Sequence, residues 1–223
     1  MDSVTPVSAG KVAPFDTGYE GVIDNICALN WTALGRDDIT KVAWAYYFFS
    51  VQFRENLQIA HCLYPNDRLL TLLVEGECDT DNLSPWPDVA KVGEKLNHDE
   101  FMRRLLQLCP IDLAAKRRLE VIGLDYLKRM RSQDDEARAK SISSFEDGGL
   151  ERVFSAILTC QCWDTPLLQA FEHFLRKHIE FDSNPDEGHG ALARHLRPDE
   201  SIRPLWDGFY SLFVDSVPRL KER

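Results

Sequence analysis

Residues 37–64, "DDITKVAWAYYFFSVQFRENLQIAHCLY", decide the fold class. Two acids stand in the first turn, where they complement the positive end of a helix dipole, and the chain then runs apolar as far as Pro65. That pattern reads as one long buried helix. Upstream, Val22, Ile26 and Leu29 keep helical spacing from Gly21 until the break at "GRDD". Downstream, "PNDRLLTLLVEGECD" is the next helix, closed by the breaker-rich "TDNLSPWPD". A polar-capped helix around "NHDEFMRRLLQLC" stops at Pro110, and "IDLAAKRRLEVIGLDYLKRMR" continues in helical period with basic residues outward. "SQDDEARAKSISSFEDGG" looks like helix ends and a connection, whereas "LERVFSAILTCQC", "TPLLQAFEHFLRKHIEFD" and "SIRPLWDGFYSLFVDSVPRL" are three further helices. No alternating run of β-branched residues is bounded by hairpin turns. The expected fold is therefore all-α, a single domain of seven or eight helices over 18–223, preceded by a loose arm at 1–17.

Composition narrows the function. The 223 residues are 44% hydrophobic, enough for a continuous core, and 36 acids against 26 bases give a net charge of −10. That balance argues against a nucleic-acid binder and favours a small molecule or another protein as partner. No uninterrupted apolar run approaches the roughly 18 residues needed to span a membrane, and the first residues lack a signal-peptide pattern, so a cytoplasmic protein is expected. Six cysteines at 27, 62, 78, 109, 160 and 162 form no CxxC pair, and most sit in apolar segments as small core residues. The terminal "LWDGFYSLF" fits either core packing or a homodimer face.

Against this background, "HFLRKHIEFDSNPDEGHGAL", residues 173–192, is unusual for its three histidines and several carboxylates. Phe171, Phe174, Leu175, His178 and Asp182 fall on one helical stripe, so His178 and Asp182 continue an apolar face. They either hydrogen-bond each other in the core or hold a metal, since a desolvated carboxylate needs a partner. His189 lies past a Pro- and Gly-containing break, close enough for the chain to fold back. Further upstream, Glu55 follows an aromatic run, Glu75 or Glu77 follows "RLLTLLV", and His98 opens the periodicity of Phe101, Leu105 and Leu108. Helical bundles build dinuclear sites by pointing such groups inward from several helices. Glu55, Glu77, His98, His178, Asp182 and His189 make the candidate set of six ligands.

The order of an early core carboxylate, a Glu and a His on the following helices, and a late His-x-x-x-Asp with a further His resembles the haem-oxygenase-like di-metal oxidases and oxygenases. "HIEFDSNPDEGHGALA", "FEDGGLERVFSAIL" and "LWDGF" are similar to an uncharacterised branch of that superfamily. The resemblance implies a helical bundle holding two Fe(II) ions and using O₂ as co-substrate to oxidise a small amino-acid- or fatty-acid-like molecule. Carried over, His178, Asp182 and His189 match the late motif, and Glu55, Glu77 and His98 the earlier ligands. The match requires a break at "SNPDEG" and a loop "CDTDNLSPWPDVAKVGEKLN" that returns His98 to the core.

Trp44, Tyr46, Tyr47, Phe48 and Phe49 would line or support an apolar pocket, and Arg54 or Lys177 would hold a substrate carboxylate. Two other readings stand beside this one. The same architecture hosts metal-free cavity enzymes, namely cofactor-free oxidases and thiaminase-like hydrolases with a catalytic cysteine, for which Cys160 and Cys162 are the candidates here. A non-catalytic helical interaction module would instead let the polar groups satisfy one another.

Overall fold

The computed structural model describes residues 18–77, 85–182 and 188–222, with Asp182 described through its backbone alone. The arm expected at 1–17 lies outside them. The architecture is all-α, with no β-strand among the described residues.

The stretch that opened the sequence reading forms α2, Arg36–Leu63, the axis of the molecule. Its stripe of Ile39, Val42, Ala43, Tyr46, Phe49, Phe53, Leu57 and Ala60 is buried, and the other helices pack round it. Phe49 stacks on Phe209 at 4.1 Å between ring centroids and meets Phe145 edge-on at 5.1 Å. Each ring so buried stabilises the fold by about 1.5–3 kcal/mol relative to exposure.

Before it comes α1, Tyr19–Cys27; after it come α3, Arg68–Gly76, and α4, His98–Leu105. Asp67 caps α3 by accepting from the Leu69 and Leu70 amides at 2.9 and 3.1 Å. Arg104 of α4 donates to the Val89 carbonyl at 3.1 Å and to Glu94 at 2.8 Å. Together with buried Val89, Ala90 and Leu96, this ties the preceding segment down and brings His98 back to the core.

The long basic-faced helix is α5, Leu113–Arg131, capped by Asp112. The segment expected as helix ends and a connection is instead α6, Asp135–Ser144, which runs into a π-turn at Phe145–Gly149. Apart from Ile142 and Arg138, its buried side chains are Ala137, Ala139, Ser141, Ser143 and Ser144, small residues that carry little apolar signal but allow close packing on α2. The hydroxyls are used: Asn56 donates to Ser141 at 3.0 Å and Trp206 to Ser144 at 2.9 Å. Then follow α7, Leu150–Ile157; α8, Pro166–Asp182; α9, His189–Ala193; and α10, Arg203–Ser216. Leu205, Trp206, Phe209 and Phe213 of α10 are fully buried within the chain, which assigns that aromatic face to the core. No helix among the described residues is long and apolar enough to cross a membrane.

Candidate metal centre

Five ionisable side chains from five elements converge beside α2. Glu77 follows α3 directly; it lies four residues past Leu73 and seven past Leu70, so the stripe that buries those leucines carries its carboxylate inward. Glu75 is exposed, which settles the choice between the two. His98 shares its inward face with Phe101, Met102 and Leu105, and its Nδ1 lies 2.8 Å from Glu77 Oε2. His178 sits one turn beyond Phe174, and its Nδ1–H donates to the Phe174 carbonyl at 2.8 Å. That bond fixes the tautomer and leaves Nε2 as the free lone pair.

The fourth and fifth groups meet where the chain is least regular. Glu146 is buried in the π-turn, where Asp147 leaves helical geometry (φ −87°, ψ 58°) and Gly148 takes φ +91°, a conformation that favours glycine. Such turns inside helices recur at functional sites. Gly190 packs against this turn so closely that a Cβ there would come within 2.8 Å of the Glu146 carbonyl oxygen. The contact seats His189 with Nδ1 2.7 Å from Glu77 Oε1 and 3.4 Å from Glu146 Oε2. Outside the cluster, Arg194 binds Asp147 with two bonds of 2.9 and 3.1 Å, and His195 Nε2 approaches Asp67 at 2.5 Å. The segment after α9 is thereby tied to both carboxylate-bearing elements.

The electrostatics favour a cation. Burial alone would raise Glu77, but the His98 and His189 imidazoles overcome it and hold that carboxyl well below the usual range. Burial, reinforced by Glu77, pushes Glu146 up against the pull of His189. His189 is driven the other way: burial disfavours its charge, yet the two carboxylates raise it well above an ordinary imidazole. His178 is pushed down to about 3, first by burial and then by His98, so it is neutral at pH 7.

Ligand-type atoms of Glu77, Glu146 and His189 all lie within 4.8 Å of one another. The Nε2 atoms of His98 and His178 are buried and have no hydrogen-bond partner among the described residues; their rings stand 4.6 Å apart. Orphaned imidazole nitrogens beside buried carboxylates are a donor set that suits a divalent transition metal.

Of the six ligands expected from sequence, Glu77, His98, His178 and His189 come together. Glu55 does not: it holds Arg131 at 2.6 and 3.0 Å and lies 3.5 Å from Arg138, on the α5–α6 side of α2. It stands about 200° round the helix from Phe53, and Gln52 and Asn56 take the fully buried positions flanking Phe53. Asp182 ends α8, one turn past His178; its side chain lies outside the described residues. Glu146 was not among the expected ligands, and its signal was the acid directly after Phe145 in "SSFEDGG".

Tyr46, Phe48 and Phe49 are buried, with Tyr46 5.4 Å from Phe174, while Trp44 and Tyr47 line a separate surface groove with Arg103 and Lys116. Lys177 pairs with Glu180 at 2.6 Å on an exposed face. Burial pushes the Cys160 thiol up to about 12, and its Sγ donates to the Trp31 carbonyl at 3.2 Å; a thiol so held is a poor nucleophile.

The chain matches no protein-family model, no curated protein and no solved structure.

Proposed function

We propose that the cluster holds two Fe(II) ions and that the protein is a non-haem diiron oxidase or oxygenase, using O₂ to oxidise a small substrate on a haem-oxygenase-like bundle. The observation that carries this reading is the pair of buried Nε2 atoms of His98 and His178, without a hydrogen-bond partner among the described residues, beside the Glu77, Glu146 and His189 group. Bound there, the iron would supply electrons and open coordination positions for the reduction of O₂ coupled to substrate oxidation.

The chain's own residues define the rest. Glu77 and Glu146 supply the negative charge that offsets the cations, and His98, His178 and His189 supply nitrogen donors. The Phe174 carbonyl orients His178, as an outer partner commonly orients a ligating imidazole. His189, protonated when no cation is present, gives up its proton on becoming a ligand. The rings of Phe154, Phe174 and Phe181 pack on His178 and His189 and keep bulk water from that side.

The buried, high-pKa Cys160 is disfavoured as the nucleophile of the hydrolase alternative. The test is O₂ uptake by iron-loaded protein against its E77Q variant. Uptake above that of free iron, lost in E77Q, is expected; uptake no faster than free iron, or equal in the variant, would refute the assignment.

A further inference from the structure

Helix α5 carries two apolar faces, and the core uses one of them. Leu119, Tyr126, Leu127 and Met130 are buried, and the helix packs on α2 and α10. Leu113, Val121 and Leu124 point the other way and are 62%, 60% and 59% exposed. At 100° per residue these three share about 80° of the helix surface with Arg117 and Lys128. The outer face is therefore one stripe, with Val121 and Leu124 at its centre and a base on either side. From Arg117 to Lys128 the steps are four, three and four residues, the repeat along which two helices pack in a seam.

The charge of this helix runs against that of the chain. It holds six bases, Lys116, Arg117, Arg118, Lys128, Arg129 and Arg131, against Glu120 and Asp125, while the whole chain carries a net charge of −10. Lys116 is 3.8 Å from Glu120, and Arg131 pairs with Glu55. Arg117, Lys128 and Arg129 make no ion pair among the described residues, and the one bond Arg118 donates, at 3.5 Å, goes to the Asp215 carbonyl. Unpaired bases gathered round exposed aliphatic side chains, in a chain rich in acids, mark a surface complementary to an acidic and partly apolar partner.

We infer that the outer face of α5 docks an acidic amphipathic helix of a partner protein, its apolar seam on Val121 and Leu124 and its carboxylates on Arg117 and Lys128. Leu124 also borders a groove walled by Trp44, Leu106 and Ile111, and Lys128 and Arg129 border another on the opposite flank, so flanking side chains of the partner find room on both sides of the stripe. A second copy of this chain does not fit. Packed antiparallel about the midpoint of Val121 and Leu124, two copies set Arg117 opposite Lys128, and packed parallel they set Arg117 opposite Arg117; like charges so placed repel. A membrane is also a poorer fit, because the net negative charge of the whole chain opposes an anionic surface. Helix α5 supplies no residue to the candidate metal site, so the docking goes beyond the proposed chemistry and needs no metal.

The test uses a fluorescein-labelled synthetic helix of about three heptads whose seam reads Glu, Leu, Leu, Glu at the same spacing, and a twin with Lys in place of Glu. Fluorescence anisotropy is measured against the full chain, its R117E/K128E variant and its V121S/L124S variant, each checked for helicity by circular dichroism. Saturable binding of the Glu peptide is expected, weakened about tenfold or more in either variant and by added salt, with the Lys peptide binding R117E/K128E better than wild type. The two variants are independent, so one that does not fold leaves the other to decide. No saturable binding of the Glu peptide, or binding unchanged in the folded variants, would overturn the inference. So would retention of the protein on phosphatidylserine vesicles that R117E/K128E abolishes, which would assign the stripe to a membrane surface, or a dimer in solution that V121S/L124S dissociates, which would assign it to a second copy.

Discussion

Asp67 fastens two elements of the candidate metal site with one carboxylate. Oδ1 caps α3, which leads into Glu77, and Oδ2 meets His195, six residues beyond His189. Replacing it with alanine removes an N-cap worth about 1 kcal/mol and a part-exposed pair worth about 0.5–1 kcal/mol. The expected loss is about 1.5–2 kcal/mol, or roughly 3–8 °C in Tm for a chain of this size. The pH dependence has a definite sign. Burial would raise the Asp67 carboxyl, but the Leu70 and Leu69 amides and His195 outweigh it and hold it below its ordinary 3.8. A lowered carboxylate contributes stability that is present above the unfolded value and is lost as pH falls through the folded one. Thermal melts of wild type and D67A should therefore differ fully at pH 7 and converge below about pH 3.8. Iron affinity should fall as well, because α3 and the segment after α9 lose their common anchor. A D67A melt indistinguishable from wild type at pH 7, or a difference that grows on acidification, would refute the reasoning.

Two other substitutions separate ligand from scaffold. Glu146→Gln removes a buried carboxylate that burial and Glu77 already disfavour, so the metal-free variant should match or exceed wild-type stability at pH 7 while iron uptake drops; urea unfolding paired with metal analysis checks both halves, and a destabilised variant with full iron would contradict them. Glu55→Gln should do the reverse, costing about 1–3 kcal/mol because Arg138, only 6% exposed, loses its nearest carboxylate, while iron stoichiometry stays unchanged; loss of iron in a folded E55Q protein would restore Glu55 as a ligand.

What the sequence made legible follows from how each residue acquires its direction. The axis α2 was legible because a contiguous aromatic run can be buried only by a long helix. His98 was legible because phenylalanine and leucine neighbours at three- and four-residue spacing fix the face it shares, whereas the choice between Glu75 and Glu77 needed the structure, where Glu75 is exposed and Glu77 buried. Glu55 was misread because proximity to aromatics in sequence says nothing about helix phase, and that side of α2 faces Arg131 and Arg138. Helix α6 was hidden because its inward face is mostly alanine and serine, which allow close approach but carry little hydrophobic signal. Glu146 followed from the same blind spot: its direction is set by the π-turn at Asp147 and Gly148 and by Gly190 packing against it, a contact between residues over 40 positions apart. Local periodicity carries no record of such a contact.

The central claim is that these side chains hold two metal ions, and anaerobic Fe(II) titration of the metal-free protein tests it most directly, with His178→Ala and Glu146→Gln run in parallel. The account predicts saturation near about two irons per chain in wild type and a clear loss in both variants while each remains helical by circular dichroism. Iron uptake at background level in wild type, or full uptake in both variants, would contradict it.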